Sequence, residues 1–296
     1  MTKSVCLIYN PRSGRPRERE YAALEFSSLL KARGFEVEAC ATQHRNHATD
    51  LARAAVQRNF DLVVANGGDG TLNEVLQGMI GSAVPLAIWP GGTGNVLATD
   101  LKIPRLPQLV ADMIALDQRK RICVGRAGER YFFFAAGIGL DAEIINTVNS
   151  ELKKTIGKGA FWIAGFSHLV KWNPTLITLQ IDGRSYEGTF AVIGNSHGYG
   201  GSISITPQAR LDEDMLDVCI FSGRSKLQYI NYLVAAMNKN QLGHKGVTYL
   251  KTRYLEASSL TALPVQVDGE VVGTLPMTFQ IIPDALTLIV PPGAFC

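Results

Sequence analysis

The sequence predicts a two-domain chain: an N-terminal α/β domain with a parallel sheet, then a mainly antiparallel β-sandwich domain. Strand and helix signals alternate through the first third of its 296 residues. Past roughly residue 120 the strand-like runs follow one another with turn residues between them. Glycine-bearing segments follow several of the N-terminal apolar runs, where an α/β sheet carries its ligand loops.

Residues 5–9 form a short apolar run that ends in Asn-Pro, a buried strand followed by a loop. Residues 18–32 place Ala22, Leu24, Leu29 and Leu30 among charges, and Gly34 follows as a stop, which marks a helix. A second strand is expected at 35–40. A helix at 48–58 carries Leu51, Ala54 and Ala55 on one side. A strand at 61–65, a helix at 71–79, a strand at 86–89 and a helix opening at 95–101 complete the series. This order argues for parallel strands with helices on their faces.

Beyond this, 122–126, 131–135, 175–182, 189–195 and 217–222 read as strands, and Ile181-Asp182-Gly183 is a hairpin signal. The stretches 248–258, 265–267, 277–282 and 287–290 continue the pattern, which a helical stretch at 151–171 interrupts. The boundary falls near Arg121. One domain spans 1–121, the other 122–281.

Apolar residues make up 46% and charged residues 19%, a globular balance. A net charge of +3 argues against a nucleic-acid partner. The first residues lack the apolar region of a signal peptide, and no segment reads as a transmembrane helix. The five cysteines are scattered without a CxxC pair, so neither a disulfide framework nor a zinc site is expected. Together these point to the cytoplasm. The histidines have no metal-site spacing.

Three loops carry the chemistry. Asn10-Pro11-Arg12-Ser13-Gly14 follows the first strand, Gly67-Gly68-Asp69-Gly70-Thr71 the third, and Gly91-Gly92-Thr93-Gly94-Asn95 the fourth. Each leads towards a helix whose first N–H groups lack partners and favour an anion. Glycines let the backbone approach phosphate oxygens, and Thr71 and Thr93 add hydroxyl donors. Asp69 among such donors suits a Mg²⁺ ion, held directly or through water. A single Gly-Gly turn would be only a turn; three glycine-bearing loops at strand ends are harder to dismiss. The P-loop and dinucleotide fingerprints are absent.

These motifs, extended through Asn73-Glu74-Val75 and begun at Pro90, resemble the diacylglycerol kinase catalytic family, which includes bacterial soluble lipid kinases and sphingosine kinases. Ala136–Ala142, Gly200-Gly201, Pro207-Gln208-Ala209, Leu216-Asp217-Val218, Val267-Asp268-Gly269-Glu270 and Ala285–Pro291 continue the likeness over nearly the whole chain. The resemblance implies an ATP- and Mg²⁺-dependent lipid kinase with its active site in the cleft between the domains. It also implies that the last strand, from about residue 282, returns to the first domain. By matched position it implies nucleotide contacts at Asn10, Pro11, Ser13, Gly14, Thr42, Gly67, Gly68, Asp69, Gly70, Thr71, Asn73, Glu74, Gly92, Thr93, Gly94 and Asn95.

A lipid hydroxyl must lose a proton as it attacks, and Asp268-Gly269-Glu270 offers two carboxylates. The resemblance favours Glu270 as proton acceptor, with Asp268 as the alternative; Asp-Gly also reads as a plain hairpin turn. The family often holds a second, structural metal at an Asp-Gly ahead of Leu-Asp-Val. Here that match places Glu213 at the ligand Asp and Asp214 at the Gly, next to Met215. Glu is longer, and Asp214 does not take positive φ cheaply, so the site is either shifted or lost.

The 151–171 helix, with lysines beside Phe161, Trp162 and Phe166, reads as packed on a sheet or laid on a membrane interface. The partners expected are a lipid substrate at a membrane surface and transient peripheral membrane contact, with room for a homodimer. NAD kinases share Gly-Gly-Asp-Gly but not the Pro-Gly-Gly-Thr-Gly-Asn block. A silent nucleotide- or lipid-binding regulator is the other alternative, and the retained carboxylates argue against it.

Overall fold

A computed structural model describes residues 2–13, 16–139, 174–198, 205–225, 228–229, 231–232 and 243–295. The expected helix at 151–171, Gly14 and the Gly200-Gly201 pair lie outside them. The chain divides into two compact units, Met1–Val124 with Pro283–Cys296, and Gly125–Ile282.

The first unit is built on parallel strands β1 (Lys3–Tyr9), β2 (Phe35–Ala41), β3 (Leu62–Gly67) and β4 (Leu86–Pro90), in the spatial order β2-β1-β3-β4. Val5 to Tyr9, Leu62 to Ala65 and Leu86 to Trp89 are buried without alternation. That is the mark of strands covered on both faces, and it explains why they read as unbroken apolar runs. The helices that cover them are α1 (Pro16–Lys31), α2 (His47–Gln57), α3 (Asp69–Met79), α4 (Val96–Asp100) and α5 (Pro107–Leu116). The α3 helix starts two residues before the expected 71, and α5 is absent from the sequence-based expectation.

Phe26 of α1 is fully buried and stacks on Trp89 of β4 at 4.1 Å between ring centroids. Phe26→Ala removes this contact and leaves a cavity where the ring was. We expect about 3–5 kcal/mol of destabilisation, read as a lower denaturant midpoint for this unit.

The second unit is antiparallel. One sheet runs β12-β11-β10-β7-β14-β15, built from β7 (Ala135–Ile138), β10 (Phe190–Gly194), β11 (Leu216–Phe221), β12 (Val247–Thr252), β14 (Pro264–Val267) and β15 (Glu270–Thr274). A second layer pairs β8 (Ile177–Ile181) with β9 (Arg184–Gly188) and β13 (Tyr254–Ser259), and β13 with the start of β16 (Met277–Ile289). Ile177, Leu179 and Ile181 alternate with more exposed neighbours, as do Leu255 and Ala257. These strands therefore have one covered face.

Four expected strands are redrawn. The 248–258 run is two strands, because the chain passes from one sheet to the other at Arg253. The 277–282 and 287–290 runs are one strand, β16, whose far end, Leu288 and Ile289, lies parallel to Leu86 and Ala87 of β4. The 131–135 run breaks after β6 (Arg130–Phe132), which pairs with β5 (Arg119–Ala127).

Candidate active site

The order β2-β1-β3 reverses direction between β1 and β3. In an open parallel sheet such a reversal leaves a crevice beyond the strand ends, the usual place for a ligand. Asn10 and Gly67, the residues at that crevice, begin two of the three predicted loops.

Asn10 Nδ2 donates to Thr71 Oγ1 at 3.1 Å, and Asn10 Oδ1 accepts the Arg12 N–H at 2.9 Å. Ser13 Oγ donates to the Gly91 carbonyl at 3.1 Å. The first loop is thus tied to both others. Asn66, just before Gly67, is buried and donates from Nδ2 to the Trp89 carbonyl at 3.0 Å, which locks the ends of β3 and β4 together. Sequence reasoning passed over it, although an Asn closing the run Leu-Val-Val-Ala is a visible signal.

The second and third loops press against each other. A Cβ on Gly92 would lie 2.5 Å from Gly68 Cα, and one on Gly94 would lie 2.7 Å from Asp69 Oδ2. Asn95 holds Gly92 from both sides, accepting its N–H at 3.0 Å and donating to its carbonyl at 2.6 Å. Asp69 Oδ1 accepts the Val96 N–H at 2.8 Å, so its carboxylate caps the first turn of α4. Burial pushes the Asp69 carboxyl up, opposed by the main-chain N–H groups around it.

Gly68 caps α3 without a side-chain hydrogen bond, and Gly70 and Thr71 lie in that helix's first turn. Gly67, Gly68, Asp69 and Asn95, with Leu72 and Ile88, line a small recess there. A surface cleared of side chains, at the positive end of a helix, is suited to the phosphates of a nucleotide. Asp69 is the acidic group of these loops, and a carboxylate has enough acceptor capacity to serve both a cap and a hydrated cation.

The other predicted contacts are placed unevenly. Thr42 sits just beyond β2, its N–H donating to the Tyr9 carbonyl at 2.9 Å, and Thr93 is exposed. Pro11 is half-buried in the first loop. Asn73 is buried in α3, where its side-chain and main-chain oxygens face the Gln77 amide. Glu74 is committed elsewhere: its carboxylate accepts the Ala48 N–H at 3.2 Å, in the first turn of α2.

In the second unit, Asp268 (φ 48°) and Gly269 (φ 86°) form the two-residue turn between β14 and β15. Asp-Gly is the pair that such a turn favours. The Asp268 carboxylate does more than turn the chain. It accepts the N–H groups of Phe133, Phe134 and Ala135 at 2.9, 3.0 and 3.2 Å. Buried Asn195 holds the same segment, donating from Nδ2 to the Phe133 carbonyl at 3.0 Å. These bonds explain the break between β6 and β7. Glu270, two residues on, faces Arg130 at 3.4 Å and is 37% exposed.

Asp268→Asn exchanges one acceptor oxygen for an NH₂ group that meets backbone donors. We expect about 2 kcal/mol lost from this unit, measured by chemical denaturation.

The carboxylates of the acidic turn are drawn into ion pairs. Glu213 Oε2 is 2.5 Å from Lys251 Nζ, Asp214 pairs with Arg253, and Asp212 is 3.0 Å from Arg210. Met215 is half-buried just before β11. Each carboxylate here already faces a cation. The described residues hold no cluster of His, Cys, Asp and Glu fit for a metal.

A parallel α/β unit with glycine loops suited to phosphates, followed in the chain by an antiparallel β-sandwich unit with its own carboxylate-bearing turn, fits a nucleotide-dependent phosphotransferase of two domains. The diacylglycerol kinase catalytic domain family matches residues 4–127, and the YegS C-terminal NAD kinase beta sandwich-like domain family matches 135–290. A diacylglycerol kinase of Bacillus subtilis (strain 168) is 30% identical over 282 residues, covering 94% of this chain and 93% of that one. One from Staphylococcus aureus (strain MRSA252) is 30% identical over 283 residues, covering 94% and 90%. A crystal structure of a diacylglycerol kinase from Bacillus anthracis str. Sterne shares the fold, with a TM-score of 0.79 at 22% identity, covering 98% of each chain. The chain belongs to the diacylglycerol kinase family of lipid kinases.

Proposed function

We propose that the protein transfers the γ-phosphate of ATP to a hydroxyl group of a diacylglycerol-like or sphingoid lipid. The observation that carries this reading is the loop pair beyond the ends of β3 and β4, beside the crevice between β1 and β3, where Gly68 and Gly92 bring bare backbone together at a start of α3 that has no side-chain cap. Family membership narrows the acceptor to a lipid.

Phosphoryl transfer asks mainly for positioning and neutralised charge. In this reading the main-chain N–H groups of Gly68 to Thr71 and the Gly92–Asn95 loop hold the triphosphate. Asn10, Ser13 and Asn95 keep the loops in register. Asp69 fixes the start of α4 and would help hold Mg²⁺ there. Bound there, Mg²⁺ supplies the positive charge that offsets the phosphate oxygens.

The new P–O bond forms at the lipid hydroxyl as the bond between the β- and γ-phosphates breaks, and ADP leaves. The hydroxyl proton passes to Glu270. Asp268 is less suited to accept it, because three backbone N–H groups already occupy its carboxylate. Asp268 is then a positioning residue that fixes the turn carrying Glu270.

No helix among the described residues is long and apolar enough to cross a membrane. Transient docking of a cytoplasmic enzyme at the bilayer surface is part of the proposal, because its acceptor is a lipid. A homodimer is compatible with it, since no step calls on a second copy. The test incubates the purified protein with Mg-ATP and a total lipid extract, and mass spectrometry follows which lipids gain a phosphate. A phosphorylated diacylglycerol-like or sphingoid lipid is expected. No lipid product, with NAD phosphorylated instead, would overturn the reading in favour of a soluble acceptor.

A further inference from the structure

The acidic turn before β11 contains its own cation. Antiparallel pairing of β11 and β12 puts Asp217 directly opposite Lys251. Tyr249 and Lys251 are two residues apart on β12, so both side chains leave the same face. Both converge on Asp217, which is completely buried. The Tyr249 hydroxyl donates to Asp217 Oδ2 and accepts the Gln208 N–H at 3.3 Å. Asp217 Oδ1 makes no hydrogen bond, and Lys251 Nζ lies 3.5 Å from it. The same ammonium is 2.5 Å from Glu213 Oε2. Lys251 thus bridges the turn carboxylate and the buried strand carboxylate.

We propose that Lys251 is the built-in cation of the 212–217 turn, which folds and holds its shape without a divalent metal. Three observations support this. Burial pushes the Asp217 carboxyl up, and a nearby positive charge opposes this and favours the ionised form. Lys251 provides it from the facing strand. A divalent ion between Glu213 and Asp217 would have to expel that ammonium into a neighbourhood where Arg253 already pairs with Asp214 and Arg210 with Asp212. The glycine that would let the turn wrap an ion is here Asp214 (its family match was noted above). The inference is independent of the lipid-kinase reading, because it concerns the folding of a turn.

The experiment uses the full chain without nucleotide, so that Mg-ATP binding does not enter. Metal content is measured on the purified protein, and thermal unfolding is followed in EDTA and in millimolar Mg²⁺ or Ca²⁺. The wild-type protein is expected to carry no stoichiometric metal and to unfold at the same temperature in all three solutions. Lys251→Met is expected to lower the unfolding temperature by about 5 °C or more, and Lys251→Arg to recover most of that loss. Should Lys251→Met not fold at all, the wild-type arms and Lys251→Arg still decide. A stoichiometric bound metal, a wild-type transition that falls in EDTA and returns with Mg²⁺ or Ca²⁺, or a Lys251→Met protein as stable as wild type would each overturn the proposal.

Discussion

Glu270→Gln lowers turnover with lipid and Mg-ATP by about 10²-fold or more, while the KM for ATP stays close to wild type. The substitution keeps the side chain's length and shape and removes the charge that takes up the hydroxyl proton. Its effect on stability is small. Glu270 is 37% exposed and its ion pair with Arg130 spans 3.4 Å, an arrangement worth no more than about 1 kcal/mol. Asp268→Asn shows the opposite balance, since its carboxylate holds the backbone of residues 133–135. Its main loss is in unfolding free energy. Measuring kcat and denaturant midpoints for both variants separates the roles. A Glu270→Gln enzyme with near-normal kcat would remove Glu270 from the proton transfer, and a severe kcat loss in a stable Asp268→Asn protein would move the role to Asp268.

The division of roles within Asp-Gly-Glu shows where sequence reasoning reached and where it stopped. The turn itself was legible, because Asp-Gly between two apolar runs has few other uses. The second task of Asp268 was not. Its backbone partners lie 133 to 135 residues away, and nothing in the run Tyr131–Ala135 signals a break. Local residues would continue that strand; a distant carboxylate interrupts it. The same holds for β16. The sequence divides 277–282 from 287–290, yet the ladder with β13 before the gap and with β4 after it keeps one strand going.

The glycine loops at the strand ends were legible for the contrary reason. Buried parallel strands are written as unbroken apolar runs, so Asn10, Gly67 and Gly91 stand out at their ends. The α5 helix had a signal that was passed over: Pro107 at its first position ahead of Val110, Met113 and Ile114. The Lys251–Asp217 pair had none. It depends on the register between two strands separated by a long connection, which no local pattern reveals.

The contact between the second and third loops sets the other large expectation. Gly92→Ala lowers kcat/KM for ATP by about 10²-fold in a protein that still folds. The added methyl would lie 2.5 Å from Gly68 Cα and 3.2 Å from both Gly68 N and Asn95 Oδ1. Two of these atoms are backbone, so no rotamer change relieves the overlap. Carbon atoms rest at about 3.5–4 Å, and the loops must therefore part by about 1 Å. That displacement moves the start of α3 and the Gly92–Asn95 loop apart, and with it breaks the hold of Asn95 on Gly92. Gly94→Ala is milder. Its methyl would meet Asp69 Oδ2 at 2.7 Å, and a carboxylate can swing aside. The cost there is the cap on Val96, about 1 kcal/mol. The expected order of impairment is thus Gly92→Ala, then Gly94→Ala, then wild type, in both nucleotide affinity and kcat/KM. An unimpaired Gly92→Ala enzyme would mean that the nucleotide does not rest on the two glycine loops together, and the crevice between β1 and β3 would lose its assignment.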